Sequence, residues 1–385
     1  MSRFIRVLLA DDSTVTRRIL MEAISGESDM EVVGAAQNGE EAVALFNAHK
    51  PDVALFDVDM PKLNGIEALK AIRMTCQSVP VIMFSTLTVR GGEATLDALA
   101  SGASDYVAKP TGVGHVDKAM EYLRSDVIPK LRQWGKVYKS KRESAPSAPV
   151  SSAASRPSAA VAIRPARLSD GRPPIKTSGK KRNGPIHVLA IGASTGGPNA
   201  LAEIVAKLPA DLGVPVLITQ HMPPLFTQLL AERLDRCSGL TVREGYDGAV
   251  VKPGQAWVAP GDHHMVVARA PSGVVLRLNQ AAPENSCRPA VDVMFRSVAQ
   301  VYAGNSLAVV LTGMGKDGAA GCLQLSNAGG GVIVQDEDTS IVWGMPRAVA
   351  EAGVADAVLP LGEIARAIVS RIRGSSPLLA SAAGA

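Results

Sequence analysis

Ser194 lies in Gly192-Ala-Ser-Thr-Gly-Gly197, between an apolar run, Val188 to Ile191, and a helical pattern carried by Leu201, Ile204, Val205 and Leu208. A buried-strand run, a glycine turn and then Pro198 at a helix start predict a strand–turn–helix elbow. Such an elbow lifts a hydroxyl clear of its sheet, close to helix amides that favour negative charge. The G-x-S-x-G match is weak alone, because a chemically idle glycine turn has the same letters. A phosphate cradle is the second reading. No Lys follows the glycines, so this is not a Walker A loop, and the spacing is not that of a dinucleotide fingerprint.

A hydroxyl nucleophile needs a base, and a histidine base needs an acid to orient it. Two further apolar runs, Val214–Thr219 and Leu307–Leu311, are followed by such residues. His221 comes after the first, and Asp317 comes after the second, within Leu311-Thr-Gly-Met-Gly-Lys-Asp-Gly318. If the three strands are neighbours, Ser194, His221 and Asp317 meet at one sheet edge. Backbone around Gly313, Met314 and Gly315 can aim amides at an oxyanion. Rival readings remain at this point: Asp262 and Asp292 are competing acids, His221 fits a core edge, and Asp317 fits a cap for the helix after Gly318. His263-His264 suggests a metal, but adjacent strand residues face opposite ways and chelate poorly.

A second set of polar residues lies near the N-terminus. Asp11 and Asp12 follow one apolar run, Asp57 another, Ser85 a third and Lys109-Pro110 a fourth. Three converging carboxylates repel one another and need a cation. The oxygen-rich set Asp11, Asp12 and Asp57 suits Mg²⁺. Asp57 then reads as a nucleophile toward a phosphoryl group, with Mg²⁺ and Lys109 neutralising its oxygens.

The elements that position these groups are parallel strands with helical crossovers. In the N-terminal part the runs are Ile5–Ala10, Glu31–Ala35, Val53–Phe56, Val81–Phe84 and Asp105–Val107. They predict a five-stranded parallel sheet covered by helices, with ligands beyond the strands' carboxyl ends. In the C-terminal part, Thr241–Arg243, Ala256–Ala259, Met265–Ala268 and Val274–Leu278 are shorter and punctuated by Gly and Pro. They predict a small antiparallel hairpin layer beside a mainly parallel, doubly wound α/β sheet. Helices fit Phe226–Leu234, Val291–Tyr302, Ala319–Ala328 and Ile364–Ile372.

Between these parts, residues 136–185 hold twelve basic residues against two acids, so a net charge of +4 conceals a stretch of about +10 and a remainder of about −6. From Lys136 apolar periodicity dissolves, and Ser, Ala, Pro, Arg and Lys dominate. The basic balance thus describes a linker, and no aromatic residues interleave with the charges as a nucleic-acid arm would want. The expected division is 1–130, a linker 131–185, a second domain 186–375 and a tail 376–385. Cys76, Cys237, Cys287 and Cys322 contain no C-x-x-C pair and read as reduced thiols. No run is long enough to span a membrane and no signal-peptide pattern is present, so a cytoplasmic chain without membrane insertion is expected, as a monomer.

The N-terminal motifs Asp11-Asp12-Ser13, Asp57-Val58-Asp59-Met60-Pro61, Gly65, Ser85 and Lys109-Pro110 resemble the receiver domain of two-component response regulators, a flavodoxin-like fold. The resemblance implies phosphorylation of Asp57 by a histidine kinase, Mg²⁺ held by Asp12, Asp57 and a backbone carbonyl, and switch positions at Ser85, Tyr106 and Lys109. The C-terminal motifs, Gly192 to Gly197, Gln220-His-Met-Pro223, Ala259-Pro-Gly-Asp262, Arg288-Pro-Ala-Val-Asp292 and Leu311 to Gly318, resemble the chemotaxis receptor methylesterases, the CheB family. That resemblance implies Ser194 as nucleophile, His221 as base, Asp317 as its orienter and the Met314 backbone in the oxyanion hole. The implied substrate is a glutamate γ-methyl ester on cytoplasmic chemoreceptor helices, giving glutamate and methanol without a cofactor, with glutamine deamidation as a second activity. Cys287 departs from the His often found before the Arg-Pro pair. A response regulator whose second domain only binds a partner is the rival class, and a transcription factor lacks its helix-turn-helix. Because a disordered tether cannot transmit force, regulation is expected to act by direct docking, with the receiver packed beside Ser194 through a face running from Ser85 past Tyr106 to its last helix.

Overall fold

The protein is described by a computed structural model that covers residues 4–86, 88–109, 116–144 and 184–374. The first five strands are β1 (Ile5–Ala10), β2 (Met30–Ala36), β3 (Val53–Asp57), β4 (Val81–Ser85) and β5 (Asp105–Ala108). They form one parallel sheet in the order β2-β1-β3-β4-β5. Strand β1 is central, and its side chains alternate between two cores. Leu8 and Ala10 face one, while Ile5, Val7 and Leu9 face the other. The helices Thr14–Ser25, Gly39–His49, Gly65–Thr75 and Val89–Ala100 each begin on a capped turn. Ser13, Asn38, Asn64 and Thr88 accept the amides of Thr16, Glu41, Glu67 and Gly91. Each cap satisfies an otherwise orphaned amide and is worth about 1 kcal/mol. At Gly65 an added Cβ would lie 1.9 Å from the Asp57 carbonyl oxygen, so the helix can start this close to the site only on glycine.

The chain stays helical across residue 130, the expected end of the first domain. Helix Val116–Tyr122 runs through a π-helical turn, Leu123–Val127, into helix Ile128–Ser144. Leu131 and Trp134 are buried, and the Trp134 indole N–H donates to Asp105 Oδ2 at 3.3 Å. The basic residues taken for linker partly pair with receiver acids: Arg132 with Asp29 at 2.9 Å and Lys136 with Asp29 at 3.6 Å. Few apolar residues anchor the helix, so its pattern fades although its backbone continues. Residues 145–183, the rest of the expected linker, and the expected tail 376–385 lie outside the described residues.

The second sheet is built from β6 (Val188–Ala193), β7 (Val216–Gln220), β8 (Thr241–Glu244), β9 (Gln255–Val258), β12 (Ser306–Val310), β13 (Gly331–Gln335) and β14 (Ala357–Leu359). Its order is β14-β13-β12-β6-β7-β9-β8, and every pair in it is parallel. Strands β10 (His264–Ala270) and β11 (Gly273–Asn279) form a separate antiparallel hairpin. The hairpin layer thus contains two of the four short runs assigned to it. Strands β8 and β9 instead extend the main sheet, and their parallel pairing is met by residues 245–254 crossing back between them. The hairpin buries Met265, Val267 and Leu276 against Val291, Phe295 and Val298 of helix Val291–Tyr302. Each such side chain is worth roughly 1.5–3 kcal/mol when fully buried.

The two domains are docked. The Tyr106 ring at the end of the N-terminal sheet stacks on Phe226 with centroids 4.8 Å apart and planes 8° from parallel. The Asn199 amide donates to the Ala103 carbonyl at 3.4 Å, and Arg233 donates to Asn199 at 2.9 Å. Gly92 of helix Val89–Ala100 lies so near helix Phe226–Cys237 that an added Cβ would sit 2.5 Å from Leu229 Cδ1.

Candidate active site and phosphoacceptor pocket

In the receiver, Asp11 after β1 and Asp57 at the end of β3 are buried, and Asp12 is exposed beside them. One oxygen from each of the three lies within 4.8 Å of the others, the one such acidic or metal-ligating cluster among the described residues. Lys109 after β5 reaches in, its Nζ 2.9 Å from Asp11 Oδ2 and 2.6 Å from Asp57 Oδ2. Burial pushes the Asp57 carboxyl up to about 6; the charge of Asp11 adds to this and Lys109 opposes it. Asp11 is raised for the same first reason. Lys109 is held above its ordinary range because the two acids outweigh its own burial. Two buried acids sharing one ammonium, with a third open to solvent, fit a hard divalent cation that retains waters. Ser85 points elsewhere: its hydroxyl donates to the Gly91 carbonyl at 2.9 Å, in the first turn of helix Val89–Ala100.

In the second domain, β12, β6 and β7 are adjacent, so the residues after them do meet. Ser194 follows β6 on a turn into helix Gly197–Val205. Gly196 at φ +77° takes the left-handed conformation that turn requires. The Thr312 hydroxyl donates to the Thr195 carbonyl at 2.9 Å and the Gln220 amide to the Ser194 carbonyl at 2.9 Å, fixing the elbow from both neighbouring strands. His221 follows β7. Its Nε2 is 2.7 Å from Asp317 Oδ2, and its Nδ1 is 3.4 Å from Cys287 Sγ. Burial disfavours the His221 cation, but Asp317 and Cys287 outweigh it and raise the imidazole to about 9. Among the described residues the Met314 amide takes no hydrogen-bond acceptor, and the residue is exposed at the site's mouth.

Asp317 is the most heavily bonded group in the site. Besides His221 it accepts the amides of Val291 at 2.6 Å, Asp292 at 2.9 Å and Gly318 at 3.0 Å, and the Asn285 side-chain amide at 3.1 Å. Burial works against its charge, but His221 and these amides prevail and hold the carboxylate below the usual range. The rival role of helix cap is also real, for a different helix. Asp317 caps Val291–Tyr302, whose own N-cap residue, Ala290, supplies no side-chain bond. Of the rival acids, Asp262 pairs with Arg288, and Asp292 bonds Asn285 and the Gly321 amide. Burial, with the charge of Asp317, pushes Asp292 up to about 6. His264 is bonded to the Ala282 carbonyl and the Ala290 amide, as a structural residue would be. Asn285 and Cys287, which touch Asp317 and His221, carry no signal in spacing, because they reach the site on an irregular loop.

Ser194, His221, Cys287 and Met314 line one side of a groove of about 690 Å³. The other side is receiver: Tyr106, Tyr122, Asp126 and Lys130. The π-helical turn contributes Asp126 to this wall.

A phosphoacceptor-type sheet docked by one edge on a second parallel α/β domain is the layout of a response regulator with a C-terminal output domain. Residues 7–121 match the response regulator receiver domain family, and residues 189–368 match the family described as CheB methylesterase. The chain is 45% identical, over 95% of its length and 99% of the relative's, to a protein-glutamate methylesterase/protein-glutamine glutaminase of Trichodesmium erythraeum. A Nocardioides protein of the same name is also 45% identical, covering 98% of each chain. Among solved structures, the Thermotoga maritima CheB methylesterase catalytic domain is 43% identical over 48% of this chain and 98% of its own, with a TM-score of 0.47. The chain belongs to the CheB methylesterase family and carries that family's receiver domain.

Proposed function

We propose that the chain is a phosphorylation-activated protein-glutamate methylesterase, with Ser194, His221 and Asp317 as its triad. The observation that carries this reading is the 2.7 Å His221–Asp317 bond at the ends of the two strands that flank the Ser194 elbow. Ser194 Oγ attacks the γ-methyl ester carbonyl and passes its proton to Nδ1 of His221, the ring nitrogen that Asp317 does not hold. The Met314 amide receives the oxyanion. Collapse breaks the bond to the methoxy group, which leaves as methanol with the His221 proton. A water, deprotonated by His221, then releases the glutamate carboxylate. The same steps on glutamine release ammonia, the glutaminase activity in the relatives' name.

The substrate is a methylated chemoreceptor helix on the cytoplasmic side, and the phosphodonor is a histidine kinase. In the receiver, Asp57 Oδ attacks the phosphorus of the kinase's phosphohistidine; the O–P bond forms as the P–N bond breaks, and the kinase imidazole leaves. Asp11, Asp12 and Asp57 would hold Mg²⁺, whose charge, when bound, neutralises phosphoryl oxygens alongside Lys109. The docked receiver forms one wall of the groove, so a receptor helix cannot enter until phosphorylation shifts the population toward an undocked state. Methanol release from methyl-labelled receptors tests the reading. Wild type with a small phosphodonor and Mg²⁺ should release it, and Ser194→Ala should not. A fully active Ser194→Ala would remove the triad assignment. A fragment starting at Gly184 should outrun the unphosphorylated full chain and ignore the phosphodonor.

A further inference from the structure

Cys287 and Ser194 need the same atom. With Asp317 on Nε2 of His221, Nδ1 is the ring nitrogen left to accept a proton from a nucleophile. That nitrogen lies 3.4 Å from Cys287 Sγ, and among the described residues no hydrogen bond joins it to Ser194. The sulfur is held in place by its own loop. Glu284 and Cys287 exchange two backbone bonds, of 3.1 and 2.9 Å, across Asn285 and Ser286, both in left-handed conformation. The loop is tied down on each side: Glu284 pairs with Arg296, Asn285 with Asp317, and Arg288 with Asp262.

We propose that Cys287 is a positioning residue for the base: in the docked chain its thiol holds Nδ1 of His221, and Ser194 gains that nitrogen only when the thiol gives it up. The inference rests on the roles assigned above to Ser194 and His221, and it adds a control inside the site to the one supplied by docking. A sulfur at Nδ1 occupies the place of the incoming hydroxyl. Transfer of its proton to His221 would also leave a thiolate beside an imidazolium, a base already spent. The raised titration of His221 fits the ion pair and not the neutral thiol, whose S–H on Nδ1 would favour the uncharged ring: after the opposing effect of burial, Asp317 and a charged Cys287 both favour the cation. The other charged groups on this groove are Asp262 with Arg288 on the same wall, Asp292 behind Asp317 through Asn285, and Asp105, Asp126 and Lys130 across from it on the receiver, where Lys130 pairs with Asp105.

The test uses the full chain with Cys287→Ala and Cys287→Ser, read two ways. In an NMR titration of the His221 ring, Cys287→Ala should lower the midpoint by about one pH unit, with Cys287→Ser in between. In methanol release from methyl-labelled receptors with phosphodonor, the acid limb of kcat should move down by the same amount. The rate at pH 7 should then rise severalfold to about tenfold, with KM unchanged. An unmoved His221 midpoint in both variants would overturn the proposal, as would a raised KM at constant kcat, which would make Cys287 a substrate contact. A shifted midpoint in a chain that releases no methanol, wild type included, would instead sink the esterase reading and leave the Cys287–His221 coupling standing.

Discussion

Asp57 and Asp317 are both buried at the carboxyl edge of a parallel sheet, but their surroundings are built differently. Asp57 accepts one backbone amide, from Asp59 at 3.3 Å, and divides a single lysine with Asp11. Asp317 accepts three amides, an asparagine and a histidine. The first carboxyl is pushed up to about 6 and the second is held below its usual range. Desolvation is the leading influence on each, so the donors decide the sign. An under-satisfied acid is open to protonation, metal binding or phosphorylation, each of which relieves it. A fully satisfied acid keeps its charge and aims its partner. One architecture thus leaves an acid poised to change its state or fixed in its charge according to how many donors surround it.

The largest expected effect comes from removing the fixed acid. Asp317→Ala should lower kcat by roughly 10³–10⁴-fold. It should also lower the melting temperature of the catalytic domain, because buried amides of helix Val291–Tyr302 lose their acceptor, at a cost of about 2–4 kcal/mol. An unchanged melting curve would break the comparison at its strongest point.

The opposite sign is expected at the switch. The folded-state pKa of Asp57 is raised, so this group's contribution to stability is fully present below about pH 4 and is lost as pH rises through about 6. Asp57→Asn should therefore stabilise the receiver transition of the full chain by about 2 kcal/mol at pH 7 and by nothing at pH 3. Calorimetry at the two pH values checks both. Mg²⁺ at several times its Kd should add about 1 kcal/mol to the wild-type receiver transition, far less in Asp57→Asn, and nothing to the catalytic one. Equal stabilisation of both proteins would place the ion elsewhere.

The smallest effect should come from a change that touches neither acid. Gly92→Leu places a side chain where even a Cβ crowds Leu229, inside a helix that loses nothing by giving up glycine. It should wedge the domains apart and raise methanol release without phosphodonor severalfold, with little change in receiver stability. No rise would mean that docking does not limit the resting rate.

Much of both edges was legible because parallel strands are apolar runs, and the polar residue after each run must stand at the sheet's end. Asp11, Asp57, Lys109, Ser194, His221 and Asp317 all follow this rule. What escaped was set by contacts distant in sequence. Helix Ile128–Ser144 is anchored by Leu131 and Trp134 within a basic surface that has the composition of a linker. Strand β13 begins on the last of three consecutive glycines, and its apolar run, Val332 to Val334, is short and leads to no residue singled out for chemistry. Strands β8 and β9 look like hairpin strands by length, and only their neighbours make them parallel. The Tyr106–Phe226 stack depends on how two finished domains meet. Cys287 stood out in the sequence as a departure from a His, but its contact with His221, 66 positions away and made from a loop without periodicity, did not.

The capping of helix Val291–Tyr302 by Asp317 bears on which inactive forms of this protein can persist in a cell. On the proposed reading, loss of Ser194 should leave an intact chain that still accepts phosphoryl groups and still occupies receptors, a dominant decoy that drains the kinase without turning over ester. Loss of Asp317 removes the helix's anchor along with the chemistry, and the destabilised chain should be held at a lower level by proteolysis. Lesions at two members of the proposed triad should then behave as different alleles, the first interfering with a good copy and the second merely scarcer.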